Sequence, residues 1–161
     1  MNYAAKPIDF RDKARGYADL ARQLEALLEG ERHLTANAAN TSSLLFHTLP
    51  DVNWTGFYLL EGEHLVVGPF QGKPACVRIG LDQGVCGAAA RLRETVLVHD
   101  VHDFPGHIAC DVASNSEVAV PLLRYGELLG VLDVDSPTVG RFDEEDRKGL
   151  EQVAHIFLAS L

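Results

Sequence analysis

Three cysteines, Cys76, Cys86 and Cys110, are the residues of this chain best suited to chemistry. A thiol works as a nucleophile only as thiolate, and nearby histidine or other polar groups bring its pKa toward neutrality. Cys110 has that setting. It stands in DVHDFPGHIACDVASNS, with His107, Asp111, Ser114 and Asn115 close by, which is not core composition. That makes it the best nucleophile candidate. Cys86 opens a helix in GVCG, and Cys76 falls in a short strand read over 75–79. Free cysteine is among the most buried residue types, so each also suits an inert core position.

A second group is acidic. Strand alternation places Val131, Asp133 and Asp135 on one face of LLGVLDVD. A two-residue turn at Tyr125-Gly126 sets Glu117 opposite residue 134 or 135, with an irregularity near Pro121 able to shift the pairing by one. Glu117, Asp133 and Asp135 therefore converge at the open end of one hairpin. Carboxylates so close raise one another's pKa and can stay protonated near neutral pH, or they can hold a ligand's ammonium group. A solvated sheet end is the plain alternative. Cys110 lies shortly before Glu117, which makes loop and cluster neighbours. On NWTGFYLL the same alternation aligns Trp54, Gly56 and Tyr58, either to wall a pocket or to pack a core.

His99, His102, His107 and Cys110 supply four potential metal ligands, but without the tight paired spacings of a zinc site, so no metal is expected. Backbone N–H groups at the GVCG helix entry offer a seat for a carboxylate, which is also an ordinary feature of glycine-rich helix starts. No Walker loop, dinucleotide fingerprint or G-x-S-x-G is present.

The elements that must position these residues follow from periodicity. Residues 1–16 read as a polar N-terminal arm, and 17–161 as a single domain. Tyr17, Leu20, Leu24, Leu27 and Leu28 mark a helix stopped by Gly30. Leu34, Ala38, Thr41, Leu44, Leu45 and Leu49 mark a second, ended by Pro50. Residues 53–60 and 64–70 form a hairpin, 75–79 and 95–98 are short strands with the GVCG helix between them, and 117–135 is a second hairpin. A last helix starts at Asp143, where three further acids suit its N-terminal end. Hairpins dominate. The class is therefore α+β, with a mainly antiparallel sheet of about six strands and N-terminal and C-terminal helices packed against it.

Composition bounds the partners. A net charge of −9 repels phosphate backbones and anionic lipid, so nucleic acid and membranes are disfavoured. The N-terminal residues show no signal-peptide pattern and no apolar run reaches a membrane span, so a cytoplasmic location with resting thiols is expected.

Taken together, NWTGFYLL, GPFQGKPACVRI, GVCGAA, DVHDFPGHIACDVASNSEVAVPL and GVLDVDSP resemble the free methionine-(R)-sulfoxide reductases, stand-alone enzymes with a GAF fold. The resemblance runs from about Tyr17 onward. It implies reduction of free L-methionine (R)-sulfoxide, with Cys110 as attacker, Cys76 as resolver through an intramolecular disulfide, and Cys86 as a third, alternative thiol. By the same resemblance Glu117, Asp133 and Asp135 bind the amino group and assist oxygen protonation, Trp54 and Tyr58 line the pocket, and thioredoxin is the external reductant, with no bound cofactor. A homodimer is compatible with all of this. Two other functions fit the same residues: a non-catalytic GAF-type small-ligand sensor, and a thiol redox switch.

Overall fold

The computed structural model describes residues 3–161. Helix α1 (Lys13–Leu28) and helix α2 (Leu34–Thr48) precede strands β1 (Trp54–Glu61), β2 (His64–Gly72) and β3 (Arg78–Gly80). Helix α3 (Gly84–Leu92) leads to β4 (Val96–Val98), then β5 (Ser116–Arg124), β6 (Glu127–Ser136) and helix α4 (Glu144–Ala159). The six strands form one sheet in the order β3-β2-β1-β6-β5-β4, and every neighbouring pair is antiparallel. Among the described residues no helix is long and apolar enough to cross a membrane.

The alternation of side chains separates two cores. Phe57 on β1, Val118, Val120 and Leu122 on β5, and Leu132 and Val134 on β6 meet the apolar stripes of α1, α2 and α4. Trp54, Tyr58, Ala119 and Val131 point the other way and pack with Val85, Cys86 and Ala89 of α3. One-residue steps along each strand thus sort the chain into a helical layer, a sheet and a site layer. The helical layer is tightly drawn. Tyr17 of α1 lies over Gly149 of α4, where an added Cβ would come within 2.1 Å of the ring. Its hydroxyl donates to Asp146, which also pairs with Lys13 and Arg141.

Two element boundaries differ from the sequence reading. Helix α1 begins at Lys13 rather than Tyr17, because the Asp12 side chain accepts from the Arg15 N–H and caps a first turn that has no apolar stripe to reveal it. Cys76 is not on a strand. The β2–β3 ladder starts only at Val66 opposite Arg78, and Cys76 lies in the connecting segment between the two strands, two residues after Pro74, which has no N–H to donate to a ladder. Within the long loop before β5, Val101–Asp103 forms a short 3₁₀ turn capped by Asp100. The remaining elements lie where the periodicity placed them.

Candidate active site

The site layer is built on one row across the sheet. Trp54 on β1 stands opposite Asp135 on β6, and Asp135 stands opposite Glu117 on β5. Two residues along β6, Asp133 faces Gly56 on one side and Ala119 on the other. The hairpin pairing therefore takes the residue-135 alternative. Its register shift falls at Leu122/Leu123, next to Pro121, so the turn at Tyr125-Gly126 and the cluster keep different offsets. Tyr125 and Gly126 both have positive φ, as a tight turn of this type requires.

Over this row the chain encloses a cavity of about 40 Å³ lined by Trp54, Tyr58, Cys86, Cys110, the three acids and parts of the connecting loops. Cys76 and Cys110 are joined by a disulfide with Cα atoms 5.5 Å apart, which straps the β2–β3 segment to the loop before β5. Cys86, in the first turn of α3, is a free, buried thiol whose Sγ lies 3.7 Å from Glu117 Oε1. Tyr58 donates from its hydroxyl to the Cys76 carbonyl, and Trp54 donates from Nε1 to the Lys73 carbonyl, so both aromatics hold the segment that carries Cys76.

The acids sit in an apolar surround with no lysine or arginine lining the cavity. Burial pushes the pKa of Glu117 well above the usual carboxylate range, with Asp133 and Asp135 adding to it. Burial likewise raises Asp135, again with Asp133 adding to it. Asp133 rises to about 6, chiefly through burial, tempered by hydrogen bonds with Glu117 and Cys86. Burial also pushes the Cys86 thiol up, next to the same carboxylates. The outcome is a set of acids that retain protons at pH values where surface carboxylates have lost theirs. Asp133 Oδ1 and Asp135 Oδ1 are buried and have no hydrogen-bond partner among the described residues. Such atoms await a donor.

Neighbouring polar groups hold the arrangement. Asn53 Nδ2 donates to Ser114 Oγ at 3.1 Å, and Ser114 Oγ donates to Asp135 Oδ2 at 3.4 Å, so the cysteine loop and β6 share one chain of bonds. His107 Nε2 lies 3.9 Å from Glu117 Oε2, and burial lowers its pKa, which favours the neutral ring. His102 turns away to Asp100, at 2.7 Å. The histidines and Cys110 therefore do not gather around a common point. Cys86, Glu117 and Asp133 do offer donor atoms all within 4.8 Å of one another, a spacing that suits a cation, metal or ammonium.

All eight candidate residues from the sequence thus border one cavity or the bridge beside it. Two contributors were missed. Phe70 stacks on Trp54 with ring centroids 5.1 Å apart, beside the Trp54–Tyr58 stack at 5.8 Å. The signal was Gly56, whose place in the β1–β2 pair is opposite Phe70. A Cβ there would lie 2.3 Å from that of Phe70. Asn53, just before β1, gave no such signal. Its role depends on a loop partner 61 residues away.

An antiparallel sheet in the order β3-β2-β1-β6-β5-β4, with helices on one face and an enclosed site on the other, is the architecture of a GAF domain. Residues 35–158 match the family described as GAF domain. The free methionine-R-sulfoxide reductase of Escherichia coli strain K12 is 54% identical over 142 residues, spanning 88% of this chain and 86% of that protein. The X-ray structure of free methionine-R-sulfoxide reductase from Neisseria meningitidis in complex with its substrate superimposes with a TM-score of 0.94 at 40% identity, covering 99% of this chain and 95% of that one. The fRMsr of Staphylococcus aureus, also solved in complex with substrate, gives 0.87 at 44% identity, covering 98% of this chain and 99% of that one. The chain belongs to the free methionine-R-sulfoxide reductase family of GAF-domain proteins.

Proposed function

We propose that this enzyme reduces free L-methionine (R)-sulfoxide to methionine, with Cys110 as nucleophile, Cys76 as resolving thiol and the buried acids as proton source. The observation that carries this reading is the Cys76–Cys110 bridge, which borders the same cavity as the proton-retaining carboxyls of Glu117 and Asp135 and as Asp133. The Cys110 thiolate attacks the sulfoxide sulfur while an acid of the Glu117, Asp133 and Asp135 set protonates the departing oxygen's side. The hydroxyl then passes from the substrate sulfur to Cys110 as the transient sulfur–sulfur bond of the adduct breaks, so Cys110 is oxidised to the sulfenic acid and methionine, reduced by two electrons, leaves. Cys76 then attacks the Cys110 sulfur, water departs and the bridge forms. A free dithiol, thioredoxin in this proposal, returns two electrons and two protons to reopen it. No bound cofactor is required.

The unpartnered oxygens of Asp133 and Asp135 suit the substrate ammonium, and the N-terminal N–H groups of α3 suit its carboxylate. The Trp54 and Tyr58 rings that line the cavity, with Phe70 packed on Trp54, offer apolar contact to the methyl and thioether. With Cys110 held in the bridge no thiolate is available to attack, so reduction of the bridge precedes each turnover.

The test is coupled turnover. Methionine (R)-sulfoxide with thioredoxin, thioredoxin reductase and NADPH should drive NADPH oxidation. A rate equal to the enzyme-free control, or equal turnover of the S epimer, would overturn the proposal. The chain's own bridge favours this reading over a non-catalytic sensor, which has no use for a second thiol beside its pocket.

A further inference from the structure

The surface around the bridge differs from the rest of the molecule. The chain carries a net charge of −9, and 23% of its residues are charged. Yet between Phe104 and Ala113 every exposed residue is apolar or glycine (Pro105, Gly106, Ala109, Val112 and Ala113), while His107 and Asp111 are half-buried. Val112 is 87% exposed, two residues after Cys110, and Val77 is 63% exposed, directly after Cys76. Large side chains so open on either side of a covalent bond serve neither core. They do not line the cavity either.

The two valines fall on one footprint. The bridged Cα atoms lie 5.5 Å apart, so with about 3.8 Å between consecutive Cα atoms Val77 and Val112 are within roughly 17 Å of each other. A transient redox encounter buries less than about 1,200 Å² in total, a disc on the order of 28 Å across on each partner. The collar fits inside it. Lys73 is exposed three residues before Cys76, and Arg78, exposed beside Val77, lies 3.8 Å from Glu61.

We infer that this apolar collar is the docking surface for a small dithiol protein whose own thiols sit in a flat apolar patch with a neutral or acidic rim. The inference rests on the reading above, in which the bridge is an intermediate of turnover. On docking, one thiolate of the partner attacks one sulfur of the Cys76–Cys110 bridge. A mixed disulfide forms, and the other cysteine leaves as a thiolate that takes up a proton. The partner's second thiol then displaces the mixed disulfide, so the two electrons come from its dithiol and its own disulfide departs. The apolar collar excludes water around that exchange, and Lys73 adds a positive charge beside it that favours a partner with an acidic rim.

The experiment compares two reductants on the same substrate, methionine (R)-sulfoxide. Val77→Asp and Val112→Asp should each raise the KM for thioredoxin by about fivefold or more, because a charge placed in a small apolar interface is left without a partner. Turnover driven by dithiothreitol should stay within about twofold of the parent, since neither side chain reaches the cavity. Val112→Leu should keep the parent KM, and Tyr125→Asp, 92% exposed at the β5–β6 turn, should change neither reaction. An unchanged KM for thioredoxin, an equal fall with both reductants, or glutathione matching thioredoxin in rate would each overturn the inference. Absent turnover with dithiothreitol in the parent would instead strike the functional reading beneath it.

Discussion

Replacing Asp133 by Asn should make the protein more stable and the enzyme much worse. Asp133 is 5% exposed, its Oδ1 has no partner, and its pKa rises from 3.8 to about 6 through burial. A carboxyl that binds protons more tightly when folded weakens folding once it is ionised in both states, by about 1.4 kcal/mol for each tenfold change in proton affinity. For Asp133 this gives a penalty on the order of 3 kcal/mol. The penalty is absent below pH 4, where both states are protonated, grows as the pH climbs to about 6, and is complete above it. Asn has no charge to desolvate, and its carbonyl can still accept from Glu117 or Cys86. The expected result is a gain at pH 7 of about 3 kcal/mol, or roughly 6–12 °C in melting temperature for a chain of this size, that fades as the pH is lowered to 4. Thermal and denaturant unfolding of both proteins across that range measures it. Coupled turnover should show a KM for the sulfoxide raised by at least about tenfold, since one acceptor for the ammonium is gone. A variant less stable than the parent at pH 7, or a gain independent of pH, would refute the reasoning.

Other substitutions separate the remaining parts. Cys110→Ser should abolish steady-state turnover, whereas Cys76→Ser should release about one methionine per enzyme in a single turnover and then stop, as quenched-reaction amino acid analysis would show. Gly56→Ala should cost about 1–3 kcal/mol in denaturant unfolding and raise the KM for substrate, because the new Cβ collides with Phe70 and with the Trp54 ring at 2.9 Å. Parent stability with an unchanged KM would show that the aromatic stack does not depend on that glycine.

What could be read from the sequence follows the range of the interactions. Alternation alone put Asp133 and Asp135 on one face, and a two-residue turn carried that face across to Glu117, because register in a hairpin is fixed by local geometry. The same alternation found Trp54 and Tyr58. Cys76 was harder. Its neighbours have strand-forming side chains, but Pro74 and the bridge to Cys110 decide its place, and a bridge spanning 34 residues leaves no periodic trace. Asn53 escaped for the same reason: its bond to Ser114 joins segments far apart in the chain, and nothing local announces it. The aromatic wall lies between these cases, since Gly56 hinted at a close neighbour without naming Phe70. The acids and the thiols therefore differ in how they are held. Glu117, Asp133 and Asp135 are fixed by the rigid ladder of β5 and β6, and keep their spacing whatever the loops do. Cys76 and Cys110 stand on segments outside that ladder, joined to it through Tyr58, Asn53 and Ser114, so the sulfurs and the proton donors are positioned by different parts of the fold. An acid row held by the sheet beside thiols held by the loops matches a reaction with one protonation and two successive sulfur attacks.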